Sequence, residues 1–243
     1  MSIKAIVFDR DGTLLDLQAT WGAVCFKAIE HMSDGNPDHM AAIAELSLFD
    51  LNAKRFLERS PILFQSPKDY CPDWARVTGR VYNQKYLAAF EACISRYATE
   101  NVTPFADTLS TVEQLARLEL TLGIATNGTE QSARDQMSSL GLDRHFSFIA
   151  GYDSGFGAKP DPGQILAFAE HAQLTCDDIA VVGDSLHDME AARAAGAVAI
   201  AVTTGAHGFE DLQRHADQVL NSLSDLLALF QPDTLSLSAH GQS

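Results

Sequence analysis

Short apolar runs recur along the chain, and helical patterns fill most of the intervals between them. Each run has only three to six residues, which is too short for a buried helix and typical of a strand with two buried faces. Strands of this kind belong to parallel sheets, because helices cover both sides of such a sheet. The runs are residues 3–8, 120–125, 148–150, 179–182 and 198–202. We therefore predict an α/β fold with a doubly wound, Rossmann-like parallel sheet.

Residues 17–98 interrupt this alternation with an insertion that we expect to be all-helical. Helical patterns cover residues 19–32, 38–58 and 74–97, and residues 60–73 resemble a loop rich in proline and serine. An insertion after the first strand divides the core in sequence. The resulting prediction is a discontinuous α/β core (1–16 and 99–231), a helical domain (17–98) and a flexible polar tail (232–243).

Charge and composition narrow the classes of partner. The chain carries 17 basic and 32 acidic residues, a net charge of −15, which argues against binding to nucleic acid. Its four cysteines are scattered and form no CxxC pair, as expected for free thiols in a reducing compartment. Neither a membrane-spanning run nor a signal peptide is visible. We expect a soluble cytoplasmic protein that does not associate with a membrane, either a monomer or a homodimer.

The motif with the most chemical content follows the first apolar run. Asp9 and Asp11 flank Arg10 and are followed by Gly12 and Thr13, so two carboxylates are predicted at the carboxyl end of a strand. Ligands of open α/β sheets bind at this edge. An Asp-Gly pair alone would more often be a simple turn, but the five-residue motif after a buried strand favours a functional site.

Three further motifs follow later runs. Asp184 and Asp188 come after the fourth run, and carboxylates are the ligands that a hard cation such as Mg²⁺ prefers. Thr126 and Asn127 follow the second run, where a helix N-terminus could bind phosphate. Lys159 precedes a proline near a predicted helix start, an unusual place for a cation unless it faces an anion. The last two signals are weak when taken singly.

The order and spacing of these four motifs resemble those of the haloacid dehalogenase superfamily of hydrolases. The motifs are Asp-x-Asp-Gly-Thr, Thr-Asn, Lys-Pro and Gly-Asp-x-x-x-Asp. The resemblance covers residues 1–16 and about 100–220, and it implies that the helical insertion is a cap domain. Within the superfamily, the chain is most similar to phosphoglycolate phosphatase-like enzymes.

This resemblance implies a magnesium-dependent phosphatase that acts on a small phosphorylated metabolite. It implies that Asp9 is the nucleophile and a magnesium ligand. Asp11 would be the general acid and base and would bind the metal through its backbone carbonyl. Asp184 would be the third protein ligand, with Asp188 supporting it from outside the coordination shell.

The same resemblance implies that Thr126, Asn127 and Lys159 hold the transferring phosphoryl group. It leaves the substrate unnamed, because substrate choice would depend on the cap. A phosphomutase would share all four motifs, and a catalytically silent binding or regulatory relative is a second alternative. A dehalogenase fits less well, because it needs neither a metal nor the acid at Asp11.

Overall fold

The computed structural model describes residues 3–57, 59–63, 67–205 and 207–230. The chain forms two compact units. The sheet unit contains the residues up to Asp16 and those from Pro104 onward, and the helical unit is Leu17–Thr103. The flexible tail predicted at 232–243 lies outside the described residues.

Eight strands occur among the described residues. They are β1 (Ala5–Phe8), β2 (Phe49–Asp50), β3 (Arg55–Phe56), β4 (Thr121–Ala125), β5 (Phe148–Ala150), β6 (Ile179–Gly183), β7 (Val198–Val202) and β8 (Gln218–Leu220).

Ten α-helices occur in the same part of the chain. They are α1 (Leu17–Met32), α2 (Pro37–Leu46), α3 (Pro67–Val77), α4 (Gln84–Glu100), α5 (Thr108–Arg117), α6 (Glu130–Ser139), α7 (Gly163–Ala172), α8 (Leu186–Ala195), α9 (Phe209–Leu212) and α10 (Leu227–Phe230). None of the helices in the described part of the chain is long and apolar enough to cross a membrane.

Six strands form one parallel sheet in the order β5-β4-β1-β6-β7-β8. The first strand lies inside the sheet, with β4 on one side and β6 on the other. Strands β4 and β5 extend the sheet from β1 in one direction and β6, β7 and β8 extend it in the other, so β1 lies at the switch point of the strand order. Phe8 is in register with Ile124 of β4 and with Val182 of β6. The three strands therefore end at the same edge of the sheet, and this topology confirms the predicted doubly wound α/β fold.

Both faces of the sheet are buried. Val7 and Val181 pack in one cluster with Phe168 of α7 and Met189 of α8. The alternate residues of β1, such as Ile6, are also fully buried. Burial on both faces explains why the strands are continuously apolar in sequence instead of alternating apolar and polar residues.

The helical unit contains four helices and a short antiparallel hairpin, β2–β3. The predicted helix over 38–58 is wrong over residues 47–57, because the chain turns into the hairpin there, and residue 58 lies outside the described residues. At the hairpin turn, Asp50 Oδ1 accepts hydrogen bonds from the backbone of Asn52 and Ala53. Gly22 of α1 permits this packing, since a Cβ at that position would collide with the Lys54 carbonyl.

The remaining helical predictions need two corrections. The predicted helix over 74–97 is two helices, α3 and α4, separated by residues 78–83. The predicted loop over 60–73 is wrong from Pro67 onward, because α3 begins there. Proline is tolerated in the first turn of a helix, where its missing N–H would have no partner. Trp74 anchors α3, since its ring meets that of Phe90 edge-on at 5.5 Å and its indole N–H donates to Ser47 Oγ at 3.0 Å.

Candidate active site

The candidate active site lies at the carboxyl edge of β1, β4 and β6. Asp9 directly follows β1, Thr126 follows β4 and Asp184 follows β6. The backbone N–H of Asp9 donates to the Val182 carbonyl at 2.8 Å, which continues the ladder between β1 and β6 beyond the last strand residue. The parallel register therefore brings residues 175 positions apart to one place.

Three buried carboxylates converge at this edge. One carboxylate oxygen from each of Asp9, Asp184 and Asp188 lies within 4.8 Å of the others, and these side chains belong to residues that are 8%, 3% and 1% exposed. These three carboxylates are close enough together to hold a metal ion, and no other such group of acidic, histidine or cysteine side chains is found among the described residues. Three of the four acidic residues predicted from the motifs thus come together, without Asp11, and Asp188 lies closer to the site's centre than expected.

Lys159 is the cation of this cluster. Its Nζ donates to Asp9 Oδ1 and to Asp188 Oδ1, both at 2.5 Å, and the residue is buried. Burial alone lowers the pKa of Lys159, but the Asp188 and Asp9 carboxylates outweigh burial and raise it. The ammonium therefore stays protonated at the centre of the site.

The pKa of Asp9 is raised well above its usual range. Burial is the largest cause; Lys159 opposes it, whereas the nearby carboxylates of Asp188, Asp184 and Asp11 add to it. Three carboxylates and one ammonium leave this buried cluster with excess negative charge. Buried charges are stable only when they are paired or coordinate a metal, so the residues fit a divalent cation with oxygen ligands.

Asp188 is held from two sides by protein donors. Its Oδ1 accepts from Lys159, and its Oδ2 accepts from the backbone N–H of Ser185 at 3.1 Å and from Ser185 Oγ at 2.6 Å. The hydrogen bonds between Ser185 and Asp188 form a capping box at the N-terminus of α8. Because both oxygens already accept hydrogen bonds, Asp188 is suited to fixing Lys159 beside Asp9.

Asp184 occupies a space that two glycines leave open. A Cβ on Gly12, which has φ +90°, would lie 2.5 Å from the Asp184 carboxyl carbon, and a Cβ on Gly205 would collide with the same carboxylate. Thr13 Oγ1 donates to Asp184 Oδ1 at 3.3 Å, and Thr204 Oγ1 donates to the Gly12 carbonyl at 2.7 Å. Sequence reasoning missed Thr204 and Gly205, which follow an ordinary buried strand and carry no motif.

The side-chain amide of Asn127 is bound to the backbone of Lys159. Its Nδ2 donates to the Lys159 carbonyl at 2.9 Å, and its Oδ1 accepts from the Lys159 N–H at 2.8 Å. Thr126 is buried beside it, and its Oγ1 accepts from the Gly128 N–H at 3.0 Å. The structure thus places Thr126, Asn127 and Lys159 together, while their contact with a phosphoryl group stays a prediction.

Arg10, between the two motif aspartates, is a third residue whose part in the site sequence reasoning missed. It is 1% exposed, and its Nε and Nη2 both donate to Asp11 Oδ2, at 2.9 and 2.6 Å. Asp11 is therefore at the site's margin in an ion pair and is not part of the carboxylate cluster around Lys159. No pattern near Arg10 in sequence indicates this pairing.

The fold and the site define a doubly wound α/β protein with buried acidic groups and a lysine at the switch point of its sheet. Residues 6–202 match the family described as haloacid dehalogenase-like hydrolase, and the chain belongs to that family. This confirms the resemblance that the four sequence motifs indicate.

Individual relatives support the same placement. The chain is 30% identical over 228 residues to phosphoglycolate phosphatase 1 of Pseudomonas aeruginosa, covering 92% of this chain and 78% of that protein. It is 29% identical over 231 residues to phosphoglycolate phosphatase of Yersinia pestis, covering 93% and 92%. A haloacid dehalogenase-like hydrolase from Streptococcus pneumoniae shares the fold, with a TM-score of 0.65 at 20% identity over 94% of this chain and 99% of that one.

Proposed function

We propose that this chain is a Mg²⁺-dependent phosphatase that hydrolyses a small phosphate monoester of the phosphoglycolate type through an aspartyl-phosphate on Asp9. The observation that carries the proposal is the buried cluster of Asp9, Asp184 and Asp188 around Lys159. A carboxylate nucleophile divides a difficult displacement into two easier ones, and this site holds a carboxylate beside the positive charge that a phosphoryl group requires.

In the first step, an Asp9 oxygen bonds to phosphorus while the bond from phosphorus to the leaving oxygen breaks. Asp11 gives its proton to that leaving oxygen. In the second step, water attacks the phosphorus of the aspartyl-phosphate, Asp11 accepts a proton from the water, and phosphate and Asp9 are released. Asp11 thus acts in turn as acid and base.

The proposed metal ligands are Asp9, Asp184 and the backbone carbonyl of Asp11, and Asp188 would stay outside the coordination shell. Two hydrogen-bonded Asp188 oxygens support this division. When bound, Mg²⁺ would neutralise charge on the transferring phosphoryl group. Lys159 would neutralise further charge, and its ion pairs with Asp9 and Asp188 keep its ammonium beside the nucleophile.

Thr126 and Asn127 complete the proposed phosphoryl site at the end of β4. Asn127 contributes by fixing the Lys159 backbone, and Thr126 lies buried one residue before it. The substrate class rests on relatives such as the Yersinia pestis and Pseudomonas aeruginosa proteins, which are named phosphoglycolate phosphatase. A phosphomutase would use the same residues but return the phosphoryl group to an organic acceptor.

The test is release of inorganic phosphate from 2-phosphoglycolate, a panel of sugar phosphates and p-nitrophenyl phosphate, with and without excess chelator. We expect release that depends on Mg²⁺ and is abolished in Asp9→Asn. Activity that persists in that variant or in chelator would contradict the mechanism. Conversion of a sugar phosphate into an isomer without release of phosphate would instead identify a mutase.

A further inference from the structure

Arg10 is a fully buried arginine that reaches two different parts of the site. Besides its two hydrogen bonds to Asp11 Oδ2, its Nη1 donates to Ser132 Oγ at 3.1 Å. Asp11 follows Arg10 directly, whereas Ser132 is 122 positions away, in the first turn of α6. The guanidinium therefore connects the loop after β1 to the helix after β4.

The surroundings of Arg10 are shaped to admit the guanidinium. A Cβ on Gly128 would collide with Arg10 Nη2 and would lie 3.0 Å from its central carbon, so glycine at this position leaves the necessary space. Ser132 is itself held, because its backbone N–H donates to the Thr129 side chain that caps α6. Both the contact to α6 and the contact to Asp11 restrict rotation of the planar guanidinium.

This arrangement has a consequence for Asp11. Two charge-assisted hydrogen bonds of 2.9 and 2.6 Å to one oxygen fix the carboxyl group in position and in rotation about its side-chain bonds. A general acid must lie within hydrogen-bond reach of the atom that it protonates, and small misplacements are costly. A side chain that fixes Asp11 thus controls proton transfer without touching the substrate.

We propose that Arg10 is a positioning residue that holds Asp11 in the orientation from which it protonates the leaving-group oxygen. The inference rests on the proposed function, because it concerns the acid of that reaction. Ser132 and Gly128 contribute to the same role, because Ser132 accepts a hydrogen bond from the guanidinium and Gly128 leaves space for it. A purely structural ion pair is the competing interpretation, and the two interpretations differ in how the reaction responds to the leaving group.

The difference arises in the first step. The bond between an Asp9 oxygen and phosphorus forms, and the bond from phosphorus to the leaving oxygen breaks with its electron pair going to that oxygen. A p-nitrophenolate departs without a proton, whereas a phenolate is a poorer leaving group and benefits from the proton of Asp11. Displacing Asp11 therefore harms phenyl phosphate more than p-nitrophenyl phosphate, although the two esters have nearly the same shape.

The experiment measures kcat/KM for both esters in the wild-type enzyme and in Arg10→Met, with saturating Mg²⁺. The value of kcat/KM covers the steps up to departure of the leaving group, so it includes protonation of that group and excludes hydrolysis of the aspartyl-phosphate. We expect kcat/KM for phenyl phosphate to fall about 10-fold or more beyond the fall for p-nitrophenyl phosphate, which is part of the roughly 10²–10⁴-fold that general acid catalysis contributes. Equal losses for the two esters would overturn the proposal.

A double-mutant cycle provides the second measurement. The general acid is absent in Asp11→Asn. Adding Arg10→Met to that variant should therefore change the ratio of kcat/KM for phenyl phosphate to kcat/KM for p-nitrophenyl phosphate by less than about 2-fold. An additive effect would show that Arg10 acts independently of Asp11 and would overturn the proposal. Arg193→Met, an exposed arginine on α8, is the matched control and should leave the ratio unchanged.

Ser132→Ala keeps the inference testable if Arg10→Met does not fold. This change releases one anchor of the guanidinium, and we expect the same selective loss for phenyl phosphate at a smaller size. If the ratio of the kcat/KM values for the two esters were unchanged in a folded Ser132→Ala protein, that result would count against the proposal. Lack of phosphatase activity in the wild type would refute the proposed function itself, whereas an active wild type with a selective defect only in Asp11→Asn would refute the role of Arg10 alone.

Discussion

The side chain of Asn127 and the backbone of Lys159 exchange two hydrogen bonds, at 2.9 and 2.8 Å, across 32 positions of sequence. The loop after β4 and the loop before α7 are joined through this pair. Gln164 of α7 strengthens the junction, because its Nε2 donates to the Thr126 and Gly157 carbonyls. The position of Lys159 therefore depends on the side-chain amide of Asn127.

Asn127→Ala should misplace Lys159. We expect kcat to fall by about 10-fold or more, and the free energy of unfolding to fall by about 1–3 kcal/mol for the two lost hydrogen bonds. Steady-state kinetics and chemical denaturation measure the two effects. Asn101→Ala, which removes a single hydrogen bond to the Tyr97 carbonyl in the helical unit, is the control and should leave kcat intact. Unchanged kinetics in a folded Asn127→Ala enzyme would refute this coupling.

Mg²⁺ should stabilise the folded protein. A ligand that binds only the folded state at about 100 times its Kd raises the free energy of unfolding by about 2.7 kcal/mol. We expect Mg²⁺ to raise the unfolding temperature of the wild type and to have a much weaker effect on Asp184→Asn, which loses a proposed ligand. Thermal unfolding with and without the metal measures this directly. Asp178→Asn, which breaks the surface pair with Lys4, should respond to Mg²⁺ like the wild type.

Gly205→Ala should impair the site through a steric effect. The new methyl group would collide with the Asp184 carboxylate, which must then move. We expect weaker Mg²⁺ binding, measured by isothermal titration calorimetry as an increase in Kd of about 10-fold or more. Gly208→Ala is the matched control, since its Cβ would meet no atom within 4 Å. Equal Mg²⁺ affinities in the two variants would show that Asp184 tolerates the displacement.

Thiol reactivity should separate Cys176 from the other cysteines. Cys25, Cys71 and Cys93 are buried in the helical unit, and burial raises the pKa of each thiol, to about 12 for Cys71. Cys176 is half-buried and its pKa is also raised by burial, but it is accessible.

Because the thiolate is the reactive form, a raised pKa slows the reaction near neutral pH and lets it accelerate as pH rises. We expect a thiol reagent to modify Cys176 first and the other three only on unfolding, as read by mass spectrometry of the labelled protein. Cys176→Ser should remove the early phase. Rapid labelling of Cys25 in the native protein would contradict its burial.

Much of the fold is predictable because each buried strand is apolar along its whole length. Every one of the five predicted runs overlaps a strand of the sheet, and no boundary differs by more than two residues. The sixth strand, β8, escaped prediction because it lies at the edge of the sheet, begins with the exposed Gln218 and is not fully buried at any position, so it is not a continuous apolar run. The hairpin in the helical unit escaped because residues 47–58 keep a helix-like apolar spacing, while the positive φ of Leu48 and Lys54 turns the chain.

The site was predictable where its residues follow strand ends. The motifs locate Asp9, Asp184 and Lys159, which the structure brings into one cluster or ion pair. Arg10 could not be assigned in the same way. Its contact with Ser132 depends on the packing of α6 beside the loop after β1, and local patterns contain no information about a pairing across 122 positions.

The central position of β1 has a consequence for how the protein is made. The acidic cluster needs Asp9 from the start of the chain and Asp184 from much later, and they meet only when β6 pairs with β1. A nascent chain that has emerged from the ribosome only through β5 holds Asp9, the proposed nucleophile, yet it has neither Lys159 nor Asp184. The acidic cluster therefore assembles late in synthesis, when β6 pairs with β1.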